Sequence, residues 1–352
     1  MKKYRIIVVG CGNMAPAWMA YPPTRSDVEF VALADPVQAR AENFRDRYAL
    51  TCPVFTTQTE ALEKTDANLI FNITPPAAHK EVTIEALKHG CHVFSEKPLA
   101  DNLENALEMI RTARRCNREL FVMQNRRFLK PTVAFKSLIE SGTIGKVGMV
   151  INEFYMNPGK GTFRDEVLEH ALLTDMSIHQ FDMMRYMFNV DPLSVYCEDF
   201  TIPGSYFKGK PAAVAIFQMT NDIRYVYIGY WSSRVMMTTW EGRWRAEGEK
   251  GVAYWDEHNV IRACIHKAKD IQDERNFSVY NGNINYHTVL PSQTLEGLTW
   301  HSGCIESMFE ALEQGKRCMT DCSDNIKSIA MTYAAIESAE TGCRVSCKTP
   351  EA

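Results

Sequence analysis

The chain has 352 residues, enough for two domains of ordinary size, and an apolar content of 45% allows each a full core. A net charge of −4 argues against the basic face of a nucleic-acid binder, and no run is long and apolar enough for a membrane span. Eleven scattered cysteines, with no export signal ahead of the first strand, point to free thiols in the cytoplasm; their spacings suit neither a disulfide framework nor a metal site.

Residues 4–9 (Tyr-Arg-Ile-Ile-Val-Val) read as a continuous apolar strand of a buried parallel sheet. Gly10-Cys11-Gly12-Asn13-Met14-Ala15 follows at once, a G-x-G-x-x-A pattern. The first glycine allows a tight turn, and the second lets backbone approach a pyrophosphate. The small third residue lets a helix pack close, with its N-terminus toward the anion. A second strand over 28–34 ends at Asp35, placed to accept hydrogen bonds from an adenosine ribose and to repel a 2′-phosphate. NAD rather than NADP is therefore the expected cofactor. Asp35-Pro36 also reads as an N-cap with proline at the first helical position, and the two roles are compatible.

A helix over 37–48, a short strand near 54–55 and a buried strand over 68–73 come next. Thr74-Pro75-Pro76 stops that strand, and His79 starts a helix running to Gly90. His92-Val93-Phe94-Ser95-Glu96-Lys97-Pro98-Leu99 then reads as a short buried strand ending on a lysine. Burial lowers a lysine's pKa and makes it a movable proton donor, and ligands of open α/β sheets bind at the carboxyl ends of strands. A surface lysine in a loop is the alternative. Asp101-Asn102-Leu103-Glu104 reads as an acidic capping box for a helix ending near Asn117, and residues 119–124 as a last strand. Strands alternating with helices over residues 1–125 predict an N-terminal Rossmann domain with a doubly wound parallel sheet.

Residues 126–352 change pattern. Helices are expected over 131–140 and 172–188, a long strand over 145–155 and an irregular loop over 156–166. Strand-like runs at 193–200, 212–220, 224–231, 238–247 and 251–256 follow without helices between them. They predict an α+β domain with an open, mainly antiparallel sheet, closed by helices over 302–314 and 322–341. Asp175 and His179, four apart on one helix face, suit acid–base work, with the carboxylate orienting the imidazole; an ordinary helix pair is the alternative. Tyr225, Tyr227, Tyr230, Trp231, Trp240 and Trp244 are read chiefly as packing, with sugar stacking as the alternative.

Gly10–Ala15, Asp35, Thr74-Pro75-Pro76 with His79, Glu96-Lys97-Pro98, Asn125-Arg126-Arg127-Phe128 and Asp175 with His179 together resemble the Gfo/Idh/MocA oxidoreductases, the family of glucose–fructose oxidoreductase and inositol 2-dehydrogenase. The tail over 335–342 is similar to that family's final helix. The resemblance implies that Gly10, Gly12, Asn13, Met14 and Asp35 hold the adenosine and pyrophosphate of NAD. It implies that Thr74, Pro75, His79, Glu96, Lys97 and Asn125 line the nicotinamide half. Lys97, Asp175 and His179 would form the catalytic group against the substrate, with Arg126 nearby, and the Lys97–Pro98 peptide would be cis. One departure stands out: Leu168-Glu169-His170 replaces the family's glycine run before the Asp, which makes His170 a candidate substrate contact, with an ordinary loop histidine as the alternative. The activity implied is hydride transfer between NAD and a hydroxyl-bearing carbon of a sugar, polyol or glycoside, in a homo-oligomer, dimer or tetramer, built through the C-terminal sheet. The last helix would pack back on the first domain. NAD-assisted glycoside cleavage and a non-catalytic NAD sensor are the alternative functions.

Overall fold

The computed structural model describes residues 3–266, 286–289 and 297–349. The chain forms two compact units. One takes the chain up to Phe128 and then Gly297–Ile329, the other Leu129 onward and then Ala330–Lys348.

The first unit holds six parallel strands: β1 Tyr4–Val9, β2 Val28–Ala34, β3 Val54–Phe55, β4 Leu69–Asn72, β5 His92–Ser95 and β6 Leu120–Val122. Their order is β3-β2-β1-β4-β5-β6, so the winding reverses between β1 and β4. Ligands of doubly wound sheets bind at that reversal. The strands are apolar along their length because both faces are covered. One cover comes from far along the chain. The helix Trp300–Gln314 buries Cys304, Ile305, Met308 and Phe309 in this core, with the Phe309 ring 4.9 Å from Tyr4 and 5.2 Å from Phe94.

Three local expectations need correction. The helix after the glycine turn is one turn long, Ala15–Trp18, because the Pro22-Pro23 pair just beyond it cannot continue the helix. So short a helix has little dipole to offer. Asp35 is not the cap of the next helix, Gln38–Arg47, whose N-cap is Val37. Instead, Asp35 Oδ1 accepts from the Val37 amide at 2.8 Å, before the helix begins. The helix Leu103–Cys116 is capped by Asn102, whose Oδ1 accepts from the Asn105 amide at 2.8 Å, so the proposed box is displaced by one residue.

The second unit carries a nine-stranded sheet: β7 Val147–Tyr155, β8 Pro192–Phe200, β9 Ala212–Met219, β10 Arg224–Tyr230, β11 Arg243–Gly248, β12 Gly251–Trp255, β13 Ile261–His266, β14 Tyr286–Val289 and β15 Val345–Ser346. The order is β14-β13-β12-β11-β7-β10-β9-β8-β15, antiparallel except for β7 with β10. Helices Lys130–Glu140 and Ile178–Phe188 bury Phe135, Met183, Met184 and Met187 in the core that this sheet shares. Tyr225, Tyr227, Trp231 and Trp244 are buried in it as packing. Met149, Phe200 and Ile216 stay exposed on their strands. The strand expected to begin at 238 begins at Arg243, because the preceding turn at Gly242 needs φ +82.

The expected regular helix over 172–188 is also corrected. Leu173–Ser177 forms a π turn that passes into the α-helix Ile178–Phe188. Such turns occur often at functional sites.

Candidate active site

The glycine turn sits at the sheet's winding reversal. Gly10 has φ +92, and a Cβ there would lie 2.7 Å from the Ile73 carbonyl oxygen, so no other residue fits between β1 and the end of β4. Nothing lies within 4 Å of a Cβ built on Gly12, which leaves its backbone open to a close ligand. A cleft of about 480 Å³ opens there, lined by Gly12, Asn13, Arg40, Asn43 and Arg47 among others. Met14 is half-exposed beside this turn. Asp35 is buried; its Oδ2 accepts from the Cys11 amide at 2.9 Å while Oδ1 holds Val37. Its carboxylate therefore fixes the glycine turn and still has lone pairs for a ribose. Bare backbone, a buried acceptor and an open cleft at the reversal fit an NAD adenosine and pyrophosphate.

The loops after β4 and β5 are joined by buried polar groups. Thr74 Oγ1 donates to Asn72 Oδ1 at 2.6 Å, and Asn72 Nδ2 donates to the His79 carbonyl at 3.1 Å. His79 is wholly buried, with Nδ1 2.7 Å from the Pro98 carbonyl and Nε2 2.8 Å from the Thr74 carbonyl. Burial pushes its pKa down, against the pull of those carbonyls. The ring thus clamps the loop carrying Lys97 from below. β5 ends at Ser95, and Lys97 lies two residues beyond, half-buried, before a cis Lys97–Pro98 peptide.

Glu96 Oε1 accepts from Trp18 Nε1 at 2.8 Å, and Oε2 accepts from the Lys97 amide at 3.0 Å. Burial pushes its pKa up. His301, at the start of the helix Trp300–Gln314, stands 3.8 Å from Glu96 Oε1. Asn125 Nδ2 donates to His301 Nδ1 at 3.2 Å. Burial first, then the positive charges of Arg126 and Lys97, push His301 down to about 4, so it is neutral. The next-door Arg126 guanidinium lies 4.9 Å from the Trp300 ring centroid.

The second unit supplies its own cluster. Asp175 lies in the π turn, ion-paired with Arg164. His179 is buried in the first turn of the helix that follows. The turn is held by the Ser177 hydroxyl, which donates to the Tyr227 hydroxyl at 3.0 Å, and by the Thr174 amide, which donates to the His170 carbonyl at 2.9 Å. Asp165 ties the loop ahead of it. The Gly161 amide and the Thr162 amide and hydroxyl hold its carboxyl down to about 2.

His170 occupies a polar nest rather than an open face. Its Nδ1 lies 2.5 Å from Asp199 Oδ2 and its Nε2 3.2 Å from Glu340 Oε1, while Lys210 Nζ contacts Asp199 at 3.1 Å. Asp199 pushes the His170 pKa up. The Leu168-Glu169 backbone is fitted against Gly209, where a Cβ would lie 2.0 Å from the Leu168 carbonyl oxygen. Gly209 thus leaves the room for the backbone of this segment to pass close by.

The sequence reading missed Trp18, Asn72, Trp300 and His301. The first two carry a weak signal, an indole and an amide beside glycine and proline turns. The last two lie nearly two hundred residues from their partners, and no local pattern marks them. Among the described residues, no three His, Cys, Asp or Glu side chains gather as metal ligands.

Comparison with known proteins agrees with this geometry. Residues 4–124 match the model of the oxidoreductase family with an NAD-binding Rossmann fold, and residues 132–254 match the GFO/IDH/MocA C-terminal domain. Inositol 2-dehydrogenase of Rhizobium meliloti is 25% identical over 95% of this chain and 96% of its own. D-glucoside 3-dehydrogenase of Escherichia coli is 29% identical over 52% of this chain and 53% of its own. The structure of an oxidoreductase from Agrobacterium radiobacter, in complex with NAD+, L-tartaric acid and magnesium, superposes with a TM-score of 0.83 at 19% identity, covering 98% of both chains. The chain belongs to the GFO/IDH/MocA family of NAD-binding oxidoreductases.

Proposed function

We propose that this oxidoreductase is a dehydrogenase of sugars, polyols or glycosides, oxidising one CH–OH carbon to a carbonyl. The reading is carried by Lys97, held past the carboxyl end of β5 by the His79 clamp and the Glu96 anchor, in an NAD-binding unit. The inositol and glucoside dehydrogenases among its relatives support the substrate class.

The oxidation removes a hydride from carbon and a proton from oxygen. Bound NAD would supply the hydride acceptor. His179 takes the hydroxyl proton as general base. The Lys97 ammonium donates a hydrogen bond to the oxygen as its charge develops. Asp175, steadied by Arg164, accepts from the substrate hydroxyl and orients His179. Glu96 and Asn125 position Lys97 and the nicotinamide pocket, and Gly10, Gly12, Asn13 and Asp35 hold the other half of the cofactor.

The test is a panel of polyols, aldoses and glycosides with NAD, following both NADH and sugar products. NADH formed in proportion to a keto product is the expected result. Aglycone release without NADH accumulation would mean redox-assisted bond cleavage instead. NAD binding without turnover on any member would favour a sensor.

We further propose a cytoplasmic homo-oligomer, a dimer or tetramer joined through the sheet face that bears Met149, Phe200 and Ile216. All eleven cysteines are free thiols, in keeping with a reducing compartment. No helix among the described residues is long and apolar enough to cross a membrane. Sedimentation that gives a monomer at micromolar concentration would remove the oligomer.

A further inference from the structure

We propose that the cleft at the amino ends of β1, β5 and β6 is a second anion site, for a small organic phosphate or carboxylate, separate from the cofactor's. Its occupancy does not depend on the dehydrogenase reading.

Doubly wound sheets bind their cofactors past the carboxyl ends of the strands. The opposite end of this sheet also opens, into a cleft of about 730 Å³ lined by His92, Arg118, Glu119, Leu312, Lys316 and Arg317 among others. That volume is in the range of small-molecule sites. His92 is the first residue of β5, and Arg118 and Glu119 lead into β6. The four residues of β5 put about 13 Å of strand between this cleft and the loop that carries Lys97. The two ends of the sheet therefore offer separate places for a ligand.

The donors of the cleft are set before any ligand arrives. His92 Nδ1 accepts from the Glu119 amide at 3.0 Å, so the neutral ring carries its hydrogen on Nε2. Burial first, then the charge of Arg118, push the His92 pKa down to about 4, so the ring stays a neutral N–H donor. Arg118 Nε donates to the Gly90 carbonyl, and Nη1 donates to the Asn117 carbonyl at 2.9 Å. Two carbonyls thus hold the guanidinium in place without neutralising it. Lys316 follows Gly315, the C-cap of the helix Trp300–Gln314. Helix C-termini at this rim draw cations, but carbonyls use only part of these donor sets. His92 Nε2, Arg118 Nη2 and the Lys316 ammonium have no acceptor among the described residues. The carboxylates are engaged or subdued. Asp321 accepts from the Ser323 amide at 2.8 Å and from its hydroxyl, and stands 4.0 Å from Arg317 Nε. Burial, then the charge of Asp321, push the Glu119 pKa up. Three N–H groups that lack acceptors, one of them on a fixed planar guanidinium, match a phosphate or a carboxylate.

The experiment uses the full chain saturated with NAD, so that the cofactor cleft is filled, and two probes, inorganic phosphate and citrate. Calorimetry should show at least one of them bound with a Kd of about 1 mM or tighter. Which probe binds more tightly separates phosphate from carboxylate recognition. The His92 ring signals in nitrogen NMR should move along the same binding curve. Lys316→Met changes an exposed residue outside the catalytic and cofactor groups. It should weaken the probe about threefold or more and leave NAD affinity unchanged. Arg118→Gln should weaken the probe about tenfold. Should that variant fail to fold, Lys316→Met and the imidazole signals decide. No binding of either probe at about 10 mM overturns the site. Binding that leaves the His92 signals or the Lys316→Met affinity unmoved overturns it as well. Turnover is read in no arm, so failure of the dehydrogenase reading leaves this site standing.

Discussion

One imidazole, that of His79, bridges the carbonyl oxygens of Thr74 and Pro98 at 2.8 and 2.7 Å. It joins the loops that follow two neighbouring strands, and the second of those loops carries Lys97. Only an imidazolium donates to both carbonyls, while burial opposes that charge. His79→Asn should lower stability by about 1–3 kcal/mol, the cost of a buried polar group losing its partner. A lower urea midpoint at constant slope is the expected reading. An unchanged midpoint would show the clamp to be idle.

Lys97→Ala and His179→Ala should each lower kcat by about 10²–10⁴, the range of a lost general acid or base. Circular dichroism and NAD titration should show a folded, cofactor-binding protein in both. Turnover that persists in both variants sinks the assignment of the proton relay.

Asp35 holds two amides, one of them that of Cys11, which lines the cleft with Arg40 and Arg47; in the proposed role it accepts from the adenosine ribose. Asp35→Asn keeps an acceptor but loses the charge that repels a 2′-phosphate. The NADP-to-NAD ratio of kcat/KM should rise about 10–100-fold, the equivalent of one charged contact. A ratio that does not move would place selectivity elsewhere.

His170 faces Asp199 and Lys210 on one side and Glu340 on the other. Its folded pKa is raised, so it binds more protons folded than unfolded above its ordinary value of about 6.5. The stability it contributes is complete below that pH and fades as pH rises through the folded value. His170→Gln should flatten the fall in stability on the alkaline side of about 6.5, read as urea midpoints across a pH series. Parallel profiles for the two proteins would remove the ion cluster from the account.

The first sheet was legible because its strands are mostly apolar and its breaks are chemically marked: Gly10 by the tight turn, Pro75-Pro76 by the lost amides. Lys97 was legible by position, since a lysine past an apolar strand is conspicuous. The contacts of Glu96 and His79 were not, because each meets a partner outside its own element, Trp18 for one and Pro98, 19 residues on, for the other. The Asp35 cap was misplaced because one carboxylate serves two neighbouring amides, and spacing does not say which. The π turn at Leu173–Ser177 was read as a plain helix because one residue of extra winding leaves the hydrophobic pattern almost intact. The contacts of His170 with Asp199 and Glu340 were not legible, because both partners lie outside any local window.

Phe309 reaches Tyr4 and Phe94, residues made 305 and 215 positions earlier, and completes the apolar layer over them. The order of synthesis therefore matters. While the chain is still on the ribosome, the parallel sheet exists with one side bare, and Phe94 and Phe121 wait for a helix not yet made. The cofactor-binding half, begun first, is thus completed only after most of the other unit has been made. A chain cut before Gly297 should be sticky and chaperone-dependent, although every glycine and carboxylate of the nucleotide motif would be in place.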